Sequence, residues 1–208
     1  MNSKIYHFAV LVALVACLAT NSLAQELAAK VDGYMNGKVK AGQFSGSILV
    51  AQNGKVLVSK GYGMANIELS VANTQQTKFR IGSLTKQFTA TAIMILQERG
   101  KLSVQDSICK YVPQCSSAWQ PVTIHHVLTH TSGVPDVSRF PEFEELALSP
   151  ASAESIIERF KNKPLESKSG EKFSYNNGGY VLLGYIVERA SGISYEAFLR
   201  ENVFEPLK

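Results

Sequence analysis

Hydrophobic positions in the first third of the chain follow two periods in turn. Residues 26–40 have the period of an amphipathic helix. Gly46–Gln52 and Lys55–Tyr62 then read as two strands around Asn53-Gly54, a strong short signal for a β-hairpin. Residues 63–78 are polar and irregular, and we find no convincing strand later in the chain. The apolar face predicted for the first helix consists of Leu27, Val31, Tyr34 and Met35.

A helical period returns at Ser83 and continues to Arg99, where Gly100 is a stop signal. Four shorter helices are predicted after it. They are Ile124–Thr129 capped by Thr123, a helix to about Lys161 that Ser149 caps and Pro150 opens, Tyr180–Ala190 ending at Gly192, and Tyr195–Val203 capped by Ser194. The core face predicted for the long helix from Ser83 to Arg99 consists of Leu84, Phe88, Ala92, Ile95 and Leu96.

Residues 1–24 have the form of an export signal, with Lys4 before an apolar run and Ser22-Leu23-Ala24 as a cleavage site. The apolar run is too short for a comfortable transmembrane span. We favour cleavage after Ala24, which predicts a secreted or periplasmic protein whose single domain is residues 25–208. Two alternatives stay open. Residues 14–17 resemble a lipobox, which would make Cys17 a lipid anchor, and an uncleaved signal would also bind the membrane.

The composition is that of a globular chain, with 208 residues and a formal net charge of +4. Its charges are mixed and spread out, without a basic block, so we expect no nucleic-acid partner. Cys109 and Cys115 are close in sequence. An exported protein can join them, but the spacing alone leaves a disulfide and two free thiols equally open. The oligomeric state cannot be read from the sequence.

Two histidines are spaced by four residues, His126 and His130. Such a pair can bind a metal on one helix face, but no acidic or cysteine ligand is placed to complete a site. We therefore expect surface or hydrogen-bonded histidines, with no metal and no cofactor.

The candidate chemistry begins at Ser83, with Lys86 three residues later. Positions i and i+3 share a helix face, so the two side chains can touch. A serine hydroxyl needs a nearby base to act as a nucleophile, and free N–H groups at a helix start can stabilise an oxyanion. Taken alone, Ser83 is more simply a helix cap.

A second candidate pair, Tyr175 and Asn177, lies on a polar turn before two glycines. A lysine beside a tyrosine favours the phenolate, which can take a proton from a serine and pass it to a leaving group. Asn177 can hydrogen-bond a substrate carbonyl and the lysine. Taken alone, the two residues are an ordinary turn.

Together, Ser83-Leu84-Thr85-Lys86 and Tyr175-Asn176-Asn177 resemble the first two motifs of the penicillin-recognising serine hydrolases. The chain is most similar to the branch of class C β-lactamases, D-alanyl-D-alanine carboxypeptidases and related esterases. The segments Val127–Pro135 and Phe173–Tyr180 are similar as well, and the resemblance extends from about Glu26 to Leu207.

The resemblance implies an α+β fold of the β-lactamase/transpeptidase type, an antiparallel sheet flanked by helices plus a mostly helical region. It implies acyl transfer on an amide, β-lactam or ester, with a small molecule or peptide as substrate. Ser83 would be acylated and its N–H would donate to the oxyanion. Lys86 would take or relay a proton, Tyr175 would be the general base, and Asn177 would orient the substrate and Lys86.

The family's third motif, Lys-Thr-Gly or His-x-Gly on a late strand, is not found after Tyr175. We therefore expect an N-terminal portion of such a hydrolase, lacking the C-terminal strands and impaired by their loss. Two alternatives stay open: a catalytically silent binding or scaffold protein, and a partial gene product.

Overall fold

The computed structural model describes residues 25–143 and 150–208. They belong to two compact units that divide between Arg80 and Ile81. The export signal with Cys17, and the cap predicted at Ser149, lie outside the described residues.

The first unit opens with helix α1 over residues 25–40, followed by strands β1 (Gly46–Gln52) and β2 (Lys55–Tyr62). The strands pair antiparallel, with Gln52 opposite Lys55. Asn53 and Gly54 between them have φ of 51° and 72°. Two central residues with positive φ make the type I′ turn that matches the twist of a hairpin, so the predicted hairpin is confirmed.

Met35 of α1 is buried in this unit, and so are Val58 and Tyr62 of β2. Asp32 of α1 forms an ion pair with Lys60 at 2.9 Å and accepts a hydrogen bond from the Tyr62 hydroxyl. Burial and this carboxylate together raise the pKa of Tyr62 to about 12. Tyr34, predicted on the apolar face, is 65% exposed, so that part of the prediction was wrong.

Two further strands lie in the stretch predicted to be irregular. β3 (Met64–Asn66) and β4 (Val71–Ala72) pair antiparallel in a sheet separate from the hairpin. The sequence prediction missed them because three and two residues are too few to show an alternation. The described unit therefore combines a helix with two small antiparallel sheets, in the predicted α+β class.

The second unit begins with a 3₁₀ turn, Gly82–Leu84, that continues into helix α2 (Thr85–Glu98). Gly100 ends α2 as predicted, with φ of 65°. Leu84 is 63% exposed instead of buried. A 3₁₀ turn advances 120° per residue, so an α-helical period extended back to residue 84 assigns it to the wrong face. The residues of α2 that are buried are Thr89, Ala92, Ile93 and Leu96.

One long helix and several short helical elements make up most of the rest of this unit. The α-helices are α3 (Ile124–Leu128), α4 (Ala153–Glu158), α5 (Asn177–Ser191), α6 (Tyr195–Leu199) and α7 (Glu205–Leu207). A π-helical turn, Arg200–Phe204, joins the last two, and 3₁₀ turns span Ile108–Lys110, Ser117–Trp119 and Val137–Arg139.

Four of the later predicted helix starts can be compared with the structure, and Ser194 caps α6 as predicted, accepting a hydrogen bond from the Ala197 N–H. Thr123 caps α3, as predicted, and accepts a hydrogen bond from the His126 N–H. α4 begins later than predicted, with Ser152 as the cap that accepts from the Ser155 N–H. α5 begins three residues earlier than predicted, at Asn177 instead of Tyr180.

The core of the second unit lies where α2 packs against α5. Cys109 and Cys115 form a disulfide at its edge, with Cα atoms 5.2 Å apart, so the free-thiol alternative was wrong. The largest fully buried side chains of the core include Trp119, Phe160, Phe198, Ile93, Leu96 and Ile186.

Among residues 25–143 and 150–208, no helix combines the length and the apolar character needed to span a bilayer.

Candidate active site

The start of α2 holds the first pair of predicted residues. Gly82 has φ of +54°, a left-handed conformation that turns the chain just before Ser83. Ser83 lies inside the 3₁₀ turn, and the cap of α2 is Leu84, which makes no side-chain capping bond. Lys86 Nζ lies 3.4 Å from Ser83 Oγ. The predicted proximity of the two side chains is therefore confirmed, and Ser83 is not the cap of α2.

The start of α5 holds the second pair. Asn176 is the N-cap and accepts a hydrogen bond from the Gly179 N–H at 2.7 Å. Asn177 is thus the first residue of a helix, whereas the sequence placed it on a turn. A Cβ on Gly179 would lie 3.0 Å from Val127 of α3, so the glycine lets α5 approach α3 closely.

The two helix starts bring all four predicted residues together. Tyr175 donates from its hydroxyl to Ser83 Oγ at 2.6 Å. Lys86 donates from Nζ to Asn177 Oδ1 at 2.8 Å. The hydroxyl that would act as nucleophile therefore lies between a phenol and an ammonium group.

The charge of Lys86 acts on Tyr175. Its Nζ lies 4.7 Å from the centre of the tyrosine ring. Lys86 beside the phenol and the hydrogen bond to Ser83 lower the pKa of Tyr175 below its ordinary value, although partial burial opposes them. The phenolate is thus easier to form here than in an isolated tyrosine.

His130 stacks against this tyrosine, with ring centres 4.6 Å apart. Its Nδ1 accepts a hydrogen bond from the Asn176 N–H at 3.1 Å, which requires an unprotonated Nδ1. Burial, and then the charge of Lys86, lower the pKa of His130. His126 also uses Nδ1, as acceptor from the Thr123 N–H at 3.2 Å. Both histidines are hydrogen-bonded, as predicted. Within the described ranges, no group of three or more potential metal-ligating His, Cys, Asp or Glu side chains occurs.

Asp136 and Ser138 also contact the site, and sequence reasoning missed both. Asn177 Nδ2 donates to Ser138 Oγ at 3.0 Å, and Ser138 Oγ donates to Asp136 Oδ2 at 2.8 Å. The only available signal was position, since Asp136 directly follows the turn that ends at Pro135.

A cavity of about 600 Å³ adjoins the cluster. Its lining includes Ser83, Lys86 and Asn177, together with Thr89 and Tyr195, whose hydroxyls are 2.6 Å apart. The site can therefore admit a small molecule next to the serine.

This chain is similar to known proteins in sequence and in architecture. A penicillin-binding protein of Bacillus subtilis (strain 168) is 34% identical over 168 residues, which are 79% of this chain and 36% of that protein. A teichoic acid D-alanine hydrolase of Staphylococcus aureus (strain MRSA252) is 28% identical over 179 residues, 86% of this chain and 42% of that protein.

A solved structure, the octameric penicillin-binding protein homologue from Pyrococcus abyssi, is 39% identical with a TM-score of 0.66. The match covers 77% of this chain and 38% of that one. The chain thus spans well under half of the length of each of these relatives.

The model of the Beta-lactamase family matches residues 23–208. The predicted fold is confirmed with it, as the β-lactamase/transpeptidase-like fold, of which this chain covers a part. The chain belongs to the β-lactamase family of serine hydrolases, which includes the penicillin-binding proteins.

Proposed function

We propose that the protein is an exported serine hydrolase that works through an acyl-enzyme on Ser83. The observation that carries the proposal is the 2.6 Å hydrogen bond between the Tyr175 hydroxyl and Ser83 Oγ, next to the ammonium group of Lys86. A base with a lowered pKa in contact with a hydroxyl is what activation of a serine requires.

In acylation, the Tyr175 phenolate takes the Ser83 proton while Oγ forms a bond to the substrate carbonyl carbon. Tyr175 then gives this proton to the leaving amine or alcohol, whose bond to the carbonyl carbon breaks. Lys86 stabilises the phenolate and serves to relay the proton. Asn177 holds Lys86 and orients the substrate. Since N–H groups in the first turn of a helix have no partner within that helix, the Ser83 N–H is free to donate to the oxyanion.

In deacylation, Tyr175 takes a proton from water, whose oxygen attacks the acyl carbon. The bond from that carbon to Ser83 Oγ breaks, and Oγ recovers a proton from Tyr175. The same base therefore serves both halves of the reaction, and no cofactor takes part in these steps.

The substrate class is an amide, β-lactam or ester. The relative named for D-alanine hydrolysis on teichoic acid makes a D-alanyl ester one candidate to test. Residues 1–24 support export, with lipidation at Cys17 as the alternative. A disulfide between Cys109 and Cys115 is compatible with an oxidising compartment.

The experiment is intact mass spectrometry of the purified protein after exposure to a reactive β-lactam and to an activated D-alanyl ester. Wild type is compared with Ser83→Ala and with Ser117→Ala, which removes an exposed serine of a distant 3₁₀ turn. We expect one adduct on wild type and on Ser117→Ala, and none on Ser83→Ala. An adduct that persists in Ser83→Ala, or a folded wild type that reacts with neither compound, would overturn the proposal in favour of a silent scaffold.

A further inference from the structure

We propose that Asp136, acting through the hydroxyl of Ser138, fixes which way the side-chain amide of Asn177 faces. Both are positioning residues, because the atoms that would react are on other side chains. The inference rests on the proposed function, since it explains how Lys86 is held beside Ser83.

The Asp136 carboxylate is buried, with 3% of the residue exposed, and is surrounded by donors. Oδ1 accepts from the backbone N–H groups of Ser138 at 3.1 Å, Asn177 at 3.2 Å and Gly178 at 3.1 Å. Oδ2 accepts from Ser138 Oγ at 2.8 Å, and Arg139 Nε lies 3.9 Å away. The N–H groups of Asn177 and Gly178 belong to the first turn of α5 and have no partner within the helix. Asp136 therefore caps α5 from a distant part of the sequence.

The carboxylate also determines the direction of the hydrogen bonds beyond it. An ionised carboxylate only accepts, so the single hydroxyl proton of Ser138 must point toward Asp136. Ser138 Oγ can then only accept from Asn177, which it does from Nδ2 at 3.0 Å. Since the amide has its NH₂ group on that side, its oxygen faces the opposite way.

That oxygen is the atom to which Lys86 Nζ donates, at 2.8 Å. An ammonium group only donates, so the reversed amide would set two donors against each other at Lys86. Ser138 and Lys86 thus favour the same orientation of the Asn177 amide, one from each end of the group. Ser138 favours this orientation only while Asp136 accepts its hydroxyl proton.

Three variants separate these effects. Asp136→Asn keeps the shape but introduces a donor, so the Ser138 hydroxyl is free to turn toward Asn177. Ser138→Ala removes the hydroxyl and leaves the Asp136 cap of α5 in place. Ser138→Thr keeps a hydroxyl at the same position and should restore the wild-type behaviour. Ser107→Ala is the matched control, because it removes a cap of a distant 3₁₀ turn, where Ser107 accepts from the Cys109 N–H.

The first measurement is nuclear magnetic resonance of the Asn177 side-chain NH₂ group, assigned with Asn177→Asp. It requires no enzymatic activity. We expect one pair of NH₂ proton resonances in wild type, Ser138→Thr and Ser107→Ala, a shifted pair in Ser138→Ala, and two pairs from two amide orientations in Asp136→Asn. An Asn177 signal that is unchanged in Asp136→Asn and Ser138→Ala would overturn the proposal. Should Asp136→Asn not fold, Ser138→Ala against Ser138→Thr decides.

The second measurement is the rate of Ser83 acylation by the β-lactam. Asp136→Asn and Ser138→Ala should slow the acylation step about tenfold, the equivalent of one hydrogen bond to a charged group, with little change in the half-saturating concentration. An equal loss in Ser107→Ala would overturn the positioning role. A wild type that is never acylated would contradict the proposed function instead, and the NMR result would still decide on Asp136.

Discussion

Lys86 and Asn177 join the N-terminal ends of two helices, through a hydrogen bond of 2.8 Å from Nζ to Oδ1. Lys86 lies in the first turn of α2, and Asn177 is the first residue of α5. Both helices therefore direct the positive ends of their dipoles toward one place. A developing oxyanion there would be favoured by the helices as well as by the side chains.

Tyr175→Phe should remove the base and keep the ring that stacks on His130. The substitution removes the phenol oxygen that lies 2.6 Å from Ser83 Oγ and that would take the Ser83 proton in the reaction. We therefore expect acylation to slow by about 10²–10⁴-fold, the usual size of a general-base contribution. Rapid-mixing measurement of the acylation rate tests this.

Tyr111→Phe is the control for that variant. Its hydroxyl donates to Asp106 at 2.7 Å, away from the candidate site, so its loss should lower stability and leave acylation unchanged. Equal rates in wild type and Tyr175→Phe would show that another group is the base.

The pH dependence of acylation should follow the ionisation of Tyr175. Because the phenolate is the active form and its pKa is lowered, the rate should rise with pH and reach half of its maximum below about 10, the ordinary value for a phenol. Lys86→Met removes the largest cause of the lowering, so the midpoint should move to higher pH. Acylation rates measured across neutral and alkaline pH test this, and a midpoint that stays in place would contradict it.

Stability should depend on pH through His130. Its pKa is lower in the folded protein than the value of about 6.5 expected when unfolded, so the unfolded state binds more protons as the pH falls. The contribution is fully present above about pH 6.5 and is lost below it, as the pH falls through the folded pKa. Urea unfolding of wild type at a series of pH values should show this loss.

His130→Asn should make that pH dependence shallower. Asparagine tolerates the left-handed backbone at this position, where φ is 57°, and does not titrate. His126, whose pKa burial also lowers, accounts for a further part of the slope. Identical pH profiles for wild type and His130→Asn would refute the assignment.

Gly82→Ala should affect both stability and chemistry. A left-handed conformation costs a residue with a Cβ about 1–2 kcal/mol, and relief of that strain would move Ser83. Gly192→Ala is matched, since Gly192 ends α5 with φ of 80°. Both variants should lower the melting temperature, and only Gly82→Ala should slow acylation. Slower acylation in both, to the same degree, would mean that the effect is on folding alone.

Much of the fold was predictable where the pattern was local. The hairpin followed from alternation around Asn53-Gly54, and the end of α2 followed from Gly100. The start of α5 was not predictable in this way. Gly178 and Gly179 read as a turn, but in the structure they lie in α5. Glycine suits these positions because α5 approaches α3 and Val137 too closely to leave ordinary room for a Cβ.

The site was predictable in part. The spacing of Ser83 and Lys86 places them on one helix face, so their proximity followed from the sequence. That Tyr175 would meet them came only from the family resemblance. The contacts of Asp136 could not be predicted from the local sequence, because its partners Asn177 and Gly178 are 41 and 42 residues away.

Ser83 and Tyr175 are 92 positions apart in the sequence, and this separation has a consequence for how each molecule folds. During synthesis, which starts at the N-terminus, Ser83 is made long before Tyr175. Closing so long a loop is one of the slow steps of folding. Until the loop closes, the hydroxyl is an ordinary, unreactive alcohol. Ser83 should therefore be unreactive in nascent and unfolded copies of the protein. Covalent labelling of Ser83 would then count only the molecules that have reached the native state.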